Sequence, residues 1–281
     1  MRKIILYIVY GDDQTYYDGA KFSLLTFKNW VKGKDENNYE IVILTEKPEE
    51  FKGYQVKLIN LPSDKKFEWS FGGSYHFRIK NRGLAYVMDK LDLKDNDKIL
   101  FFDTDTYFHK SPLKLFDMIQ PDQALFYLNE GLIYKRKRFA IYVKSLEGKT
   151  IEIEGQTYSL SKKSALWGSL MVGIMPNMRP SLEWSDLLMQ KFFDIVPAHT
   201  IEPFAFSESL LREFKLIEGK KFVSLYSTSR KKEYAKKILS NFFAKNSNLS
   251  VNDQIYLAQK VIIKRPIIVV LKQRFQRILK K

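Results

Sequence analysis

Two aspartates one residue apart, Asp103 and Asp105 with Thr104 between them, follow the apolar run Ile99-Leu100-Phe101-Phe102. Paired carboxylates suit a hard divalent cation such as Mg²⁺ or Mn²⁺, which takes oxygen ligands and can bridge them to a diphosphate. The tripeptide alone says little, because a chain of this length contains about one such pair by chance. Asp95-Asn96-Asp97 is one, set in a polar turn that solvation explains. Asp103 and Asp105 differ in context. An apolar strand covered on both faces delivers them to its carboxyl end, where open α/β sheets bind ligands. If the strand runs on to residue 105, side chains alternating with period two place both carboxylates on one face and turn Thr104 away. The rival reading is that the acids cap a turn or pair with lysines.

Such a strand needs a sheet around it. Residues 4–9, 39–45, 54–59 and 98–102 read as strands, and apolar residues at helical spacing mark 16–31 and 76–91 as helices. This alternation predicts an α/β domain with a largely parallel sheet. Farther on, residues 124–128 and 170–174 read as strands and 181–193 and 207–214 as helices. Residues 134–164 are polar and basic and read as an inserted hairpin.

The chain has 281 residues, 45% hydrophobic and 28% charged, the composition of a globular protein with a sizeable core. It has no cysteine, which excludes disulfides, thiolate zinc sites and a cysteine nucleophile and permits a reducing compartment. Met1-Arg2-Lys3 and the apolar run after it superficially suggest a signal peptide. Gly11-Asp12-Asp13 follow without a small-residue cleavage site, so the run is expected to be a buried first strand. No run of about 18 apolar residues predicts a spanning helix.

The net charge of +15 is unevenly placed: residues 212–281 hold 18 Lys and Arg against four acids, and residues 1–211 are almost neutral. The shift suggests a boundary at residue 212. Residues 266–281, PIIVVLKQRFQRILKK, are compatible with an amphipathic helix, with Ile267, Leu271, Phe275 and Ile278 on one face and Lys272, Arg274 and Arg277 on the other. Such a helix lies on an anionic membrane surface or packs against the catalytic domain.

Residues 98–117, KILFFDTDTYFHKSPLKLFD, resemble the metal-binding segment of GT-A glycosyltransferases, particularly the galactosyltransferase and glycogenin-like enzymes. In that family an apolar strand ends in Asp-x-Asp, a short strand follows, and a helix opens with a leucine-rich turn. Ser111 and Pro112 stand where an N-cap and first-turn proline are expected. The resemblance implies a Rossmann-like, mostly parallel sheet flanked by helices, with residues 1–211 as the nucleotide-sugar-binding catalytic domain and 212–281 as a basic, mainly helical extension. It also implies a nucleotide-sugar donor, UDP-linked on family grounds, and Mn²⁺ or Mg²⁺ held by Asp103 and Asp105, with Thr104 beside the donor. The acceptor would be a saccharide or a lipid-linked saccharide, as in surface polysaccharide assembly, at the cytoplasmic face of a membrane.

Two further stretches are similar to the family. The loop Tyr10-Gly11-Asp12-Asp13-Gln14 resembles its nucleoside-recognition loop, which makes Tyr10, Asp12 and Gln14 donor-binding candidates, Asp12 the best matched. Tyr75-His76-Phe77-Arg78-Ile79-Lys80 resembles the start of the helix whose basic residue faces the diphosphate. That implies a role for Arg78, whose guanidinium suits phosphate, and for Lys80. The rivals are an ordinary polar turn and a solvated helix face. The family's acid on a later helix implies a catalytic role for Glu208 near the sugar or acceptor, against a solvated acid near a helix N-terminus.

The sequence also departs from the family. Trp167 to Gly173 lack the usual Asn, and Leu225 to Lys231 contain no metal-binding His, so Arg230 and Lys231 are candidates for contacting phosphate instead. His76, His109 and His199 are not spaced as metal ligands and are expected to be structural or exposed. The competing classes are a haloacid-dehalogenase-like phosphatase, whose Asp-x-Asp strand normally opens the fold, and a basic nucleic-acid-binding protein. No nucleic-acid motif accompanies the charge, so no nucleic-acid partner is expected.

Overall fold

The computed structural model describes residues 1–33, 38–263 and 270. The chain begins β1 (Lys3–Val9), α1 (Gln14–Val31), β2 (Tyr39–Thr45), β3 (Lys57–Asn60), α2 (Ser63–Trp69), α3 (Arg78–Leu91), β4 (Lys98–Phe102), β5 (Thr106–Phe108) and α4 (Leu113–Asp117). It continues β6 (Gln123–Leu132), α5 (Ala140–Leu146), β7 (Thr150–Ile153), β8 (Gln156–Ser159), β9 (Ala165–Ile174), α6 (Arg179–Ile195), α7 (Ile201–Leu211), β10 (Lys215–Glu218), β11 (Val223–Leu225), α8 (Ser229–Asn246) and α9 (Val251–Ala258).

Seven strands form one sheet in the order β10-β6-β9-β4-β1-β2-β3. Neighbours are parallel except β9, which runs antiparallel to both β4 and β6. Alternation along β1 explains why the sheet is covered on both sides. Ile5, Tyr7 and Val9 join the core beneath α1, whereas Ile4, Leu6 and Ile8 join the core beneath α3. The expected α/β architecture, a mostly parallel sheet flanked by helices, is therefore the one observed.

Several local expectations change. The metal-segment strand ends at Phe102, so the two acids do not alternate along a strand. They occupy a turn in which Thr106 donates from its amide to the Asp103 carbonyl at 3.3 Å and from its hydroxyl at 2.6 Å. The Asp103 amide still donates to Leu170 O on β9 at 2.8 Å, which fixes the turn's first residue to the sheet. Helix α4 starts at Leu113 with Pro112 at its N-cap, and no side chain caps it. Residues 134–164 contain helix α5 as well as the β7–β8 hairpin. Helix α7 starts at Ile201, six residues before the expected start.

The charge shift at residue 212 does not coincide with a break in packing. Strand β10 pairs with β6 in the main sheet, and β11 pairs with β5. Ala235, Leu239 and Phe242 of α8 and Ile255 and Ala258 of α9 share a core with α1. No described helix is long and apolar enough to cross a membrane. The helix expected at 266–281 lies, apart from residue 270, outside the described residues.

The turn after β4 presses tightly on α1. A Cβ placed on Gly19 would lie 2.4 Å from Thr104 O and 2.9 Å from the Tyr226 hydroxyl. Gly19→Ala is expected to lose about 1–3 kcal/mol to overpacking, more than offsetting about 1 kcal/mol gained in helix propensity. Urea unfolding checks this, and a variant as stable as the parent would show that the turn can yield.

Candidate active site

A cavity of about 430 Å³ opens at the carboxyl ends of β1 and β4. Asp103, Thr104 and Asp105 form its floor, and Tyr10, Gly11 and Tyr16 line it from the loop and first helical turn after β1. His76 and Phe77 line it from the segment before α3, Lys80 from α3 and Lys232 from α8.

The acids are held between two lysines. Lys80 Nζ lies 3.3 Å from Asp103 Oδ2 and 3.3 Å from Glu202 Oε2, and it donates to Ser169 Oγ at 3.1 Å. Lys232 Nζ lies 3.1 Å from Asp105 Oδ2. Asp105 is buried, and its Oδ1 has no hydrogen-bond partner. Burial is the main cause pushing the Asp103 carboxyl up to about 7; repulsion from Asp105 and Glu202 adds to it and Lys80 opposes it. Burial also raises Glu202. Burial alone would lower Lys80, but the carboxylates of Asp103 and Glu202 outweigh it and hold the ammonium above its usual range.

The backbone of the turn is equally constrained. The Tyr226 hydroxyl donates to Thr104 O at 3.1 Å, and the Tyr226 amide donates to Asp105 O at 3.1 Å. The strand pairing of β5 with β11 brings Tyr226 to this position.

Among the described residues no group of three or more His, Asp or Glu could hold a metal ion. The donor set nevertheless fits a hard cation bound jointly with a diphosphate. Mg²⁺-type sites commonly use one or two carboxylates, completed by water and substrate phosphates. Asp105 Oδ1, buried and unpartnered, is the atom that such a cation would satisfy.

Of the residues singled out from the sequence, Tyr10, Lys80, Asp103, Thr104 and Asp105 meet at the cavity, and Asp12, Gln14, Arg78 and Glu208 are not among its lining residues. Tyr10 donates its hydroxyl to His76 O at 2.9 Å, tying two walls together. The Asp12 side chain is fully exposed, 3.5 Å from Lys47. The Gln14 amide donates to Asp18 and Glu50. Arg78 is buried, bidentate to Asp186 at 2.5 and 2.8 Å, with its guanidinium over the Phe71 ring. Two residues along a helix rotate a side chain by about 200°, so Arg78 and Lys80 leave α3 in opposing directions, and Lys80 reaches the cavity.

Glu208 is no solvated helix-end acid. It is buried and accepts from Tyr158 Oη, Ser164 Oγ and the Ala165 amide, fastening the β8–β9 connection to α7. Glu202 on the same helix reaches the site network through Lys80 and Ser169. The sequence reading does not include Glu202, because it starts this helix at residue 207. Lys232 was missed beside Arg230 and Lys231, neither of which lines the cavity. Only the helical phase of α8 singles out Lys232. His76 lines the cavity, His109 Nδ1 lies 2.8 Å from Ser224 Oγ, and His199 O accepts from Tyr75.

No protein-family model matches the chain, and no curated protein matches it by sequence. Among solved structures the chain is similar to the galactosyltransferase LgtC in complex with donor and acceptor sugar analogues. The TM-score is 0.52 at 12% identity, covering 94% of this chain and 97% of that one. An active-site variant of LgtC matches with a TM-score of 0.50 at 11% identity, covering 76% of this chain and 72% of that one. The fold is that of a GT-A glycosyltransferase.

Two outcomes follow from the geometry. A carboxyl raised from 3.8 to about 7 binds its proton more tightly in the folded state, so its contribution is complete below about pH 4 and lost as pH rises through about 7. In metal-free buffer Asp103→Asn is therefore expected to gain stability relative to the parent between pH 4.5 and pH 8. Urea unfolding at both pH values measures this, and a pH-independent difference contradicts it. Glu208→Ala strands three buried donors at about 1 kcal/mol or more each, so a loss of roughly 3 kcal/mol is expected with the cavity intact. An unchanged unfolding midpoint would refute the fastening role.

Proposed function

We propose that this protein transfers a sugar from a nucleotide-sugar, UDP-linked, to a saccharide or lipid-linked saccharide, with Mn²⁺ or Mg²⁺ shared between Asp103, Asp105 and the donor diphosphate. The observation that supports this most strongly is the Asp103–Asp105 turn at the floor of the cavity, with one buried Asp105 oxygen unpartnered. The GT-A fold around it is the second support.

In this reading the loop after β1, with Tyr10, Gly11 and Tyr16, forms the nucleoside end of the cavity, and the β4 turn forms the diphosphate end. A bound divalent cation would neutralise the charge that develops on the nucleoside diphosphate as the bond to the sugar breaks. Lys80, buried and fixed by Asp103, Ser169 and Glu202, adds a permanent positive charge beside the same oxygens. Lys232 stands on a half-exposed side chain. It holds Asp105 at 3.1 Å and would be free to meet a phosphate oxygen if that carboxylate held a cation. Tyr226 occupies the chain segment in which the family usually has a metal-binding His, and it holds the turn's backbone instead.

The test is a panel of UDP-, GDP- and CDP-sugars with Mn²⁺, reading which nucleotide is released. UDP release is expected to dominate and to require the metal. Asp103→Ala and Asp105→Ala are each expected to lower turnover by about 100-fold or more while retaining the folded circular dichroism spectrum. Undiminished turnover in both variants would sink the assignment.

A further inference from the structure

The basic stretch that interrupts the sheet between β6 and β9 has no part in the donor site. Residues 134–164 contain eight Lys and Arg against three Glu, and the remainder of residues 1–211 holds 21 Lys and Arg against 25 acids. Positive charge in the catalytic part of the chain is thus concentrated in one insertion. Lys135, Arg136, Lys137 and Arg138 are consecutive and exposed, beside exposed Tyr134. Only Arg138 is ion-paired, 2.9 Å from Glu130; among the described residues the other seven cations form no ion pair.

Sheet topology fixes where this charge lies. Strands β4 and β6 both run antiparallel to β9, so their carboxyl ends lie at the same end of the sheet. Asp103 leaves β4 beside Leu170, and Leu132 ends β6 opposite Ala165. The five residue steps along β9 from Leu170 to Ala165 span about 17 Å. The Ile133 amide donates to Ser164 O at 2.9 Å, which brings exposed Lys162 and Lys163 next to the run beginning at Lys135. Six cations therefore gather on the rim that holds the Asp103–Asp105 turn. They lie on the β6 side of it, away from the nucleoside loop after β1.

We propose that this rim binds the acceptor, and that the acceptor is an anionic saccharide with phosphate or carboxylate groups several sugar units from the hydroxyl that is glycosylated. The proposal rests on reading the cavity as the donor site. Its physical reason is charge placement. The floor of the site is rich in carboxylates, which favour cations and repel a bare anion, so an anionic acceptor needs its positive contacts at a distance from Asp103 and Asp105. Unpaired surface cations act through a field screened over about 8 Å at physiological salt, so the contact is expected to be strongly salt-dependent.

The experiment compares fluorescein-labelled maltohexaose with the same oligosaccharide phosphorylated, by fluorescence anisotropy on the full chain without donor, at 50 and 300 mM NaCl. Phosphatidylglycerol and phosphatidylcholine vesicles form a second arm. The phosphorylated hexasaccharide is expected to bind at least tenfold more tightly than the neutral one at low salt. Lys135→Ala/Arg136→Ala/Lys137→Ala, with an unchanged thermal melt, is expected to remove that preference, and the charge-reversed Lys135→Glu/Lys137→Glu to invert it. Equal affinity for the two oligosaccharides, binding to neither, or a preference that both variants retain overturns the proposal. Vesicle binding that depends on the same three residues, without an oligosaccharide preference, also overturns it and assigns the patch to lipid headgroups. UDP-sugar turnover of the parent protein is measured in parallel. Its absence with the oligosaccharide preference intact would reject the donor reading while leaving the anion site standing.

Discussion

Asp103 and Asp105 bring two carboxylates into one cavity, where they repel each other, and much of this site's construction answers that repulsion. Burial pushes the Asp103 carboxyl up, Lys80 opposes that shift, and the charges of Asp105 and Glu202 add to it. Here buried Lys80 compensates Asp103 and half-exposed Lys232 compensates Asp105. Glu202 and Ser169 in turn hold Lys80, so the buried ammonium is itself satisfied. The two lysines differ in mobility: Lys80 is buried and fixed by three partners, whereas the Lys232 side chain is half-exposed.

The same constraint explains the backbone around it. A turn carrying two acids at the end of a buried strand must be held by groups that do not compete for the carboxylates. Gly19 lets α1 approach the Thr104 carbonyl, and the Tyr226 hydroxyl, itself packed against Gly19, donates to that carbonyl. Tyr226 arrives through β11, which pairs with β5 immediately after the turn. The basic C-terminal part of the chain is therefore structural as well as electrostatic: residues near 226 hold the turn, and Lys232 and Lys236 bridge α8 to Asp105 and Asp13.

Much of the fold was legible because its strands are short apolar runs and its helices keep a steady period. Strand β2 was read to the residue, and the strand leading into Asp103 was placed correctly. What failed was local geometry. Period two was extended through Asp103 to Asp105, whereas the Thr106 hydrogen bonds to the Asp103 carbonyl turn the chain. At Arg78 the residue type suggested phosphate, but its helical direction gave it to Asp186. Glu208 had the right charge on the right helix, yet Tyr158, Ser164 and Ala165 occupy it. Glu202 and Lys232 become visible only when distant elements are brought together, since neither lies in a motif. Charge reports the surface, so the shift at residue 212 carries no information about packing, and β10, α8 and α9 share the sheet and core of the preceding residues.

The central claim is that Asp103 and Asp105 form half of a metal site whose other half is a diphosphate. Electron paramagnetic resonance of Mn²⁺ titrated into the protein, with and without UDP, tests this most directly. One ion is predicted to bind, weakly alone and far more tightly with UDP, and to be lost in Asp105→Asn. Mn²⁺ binding that neither UDP nor Asp105→Asn alters would contradict the account.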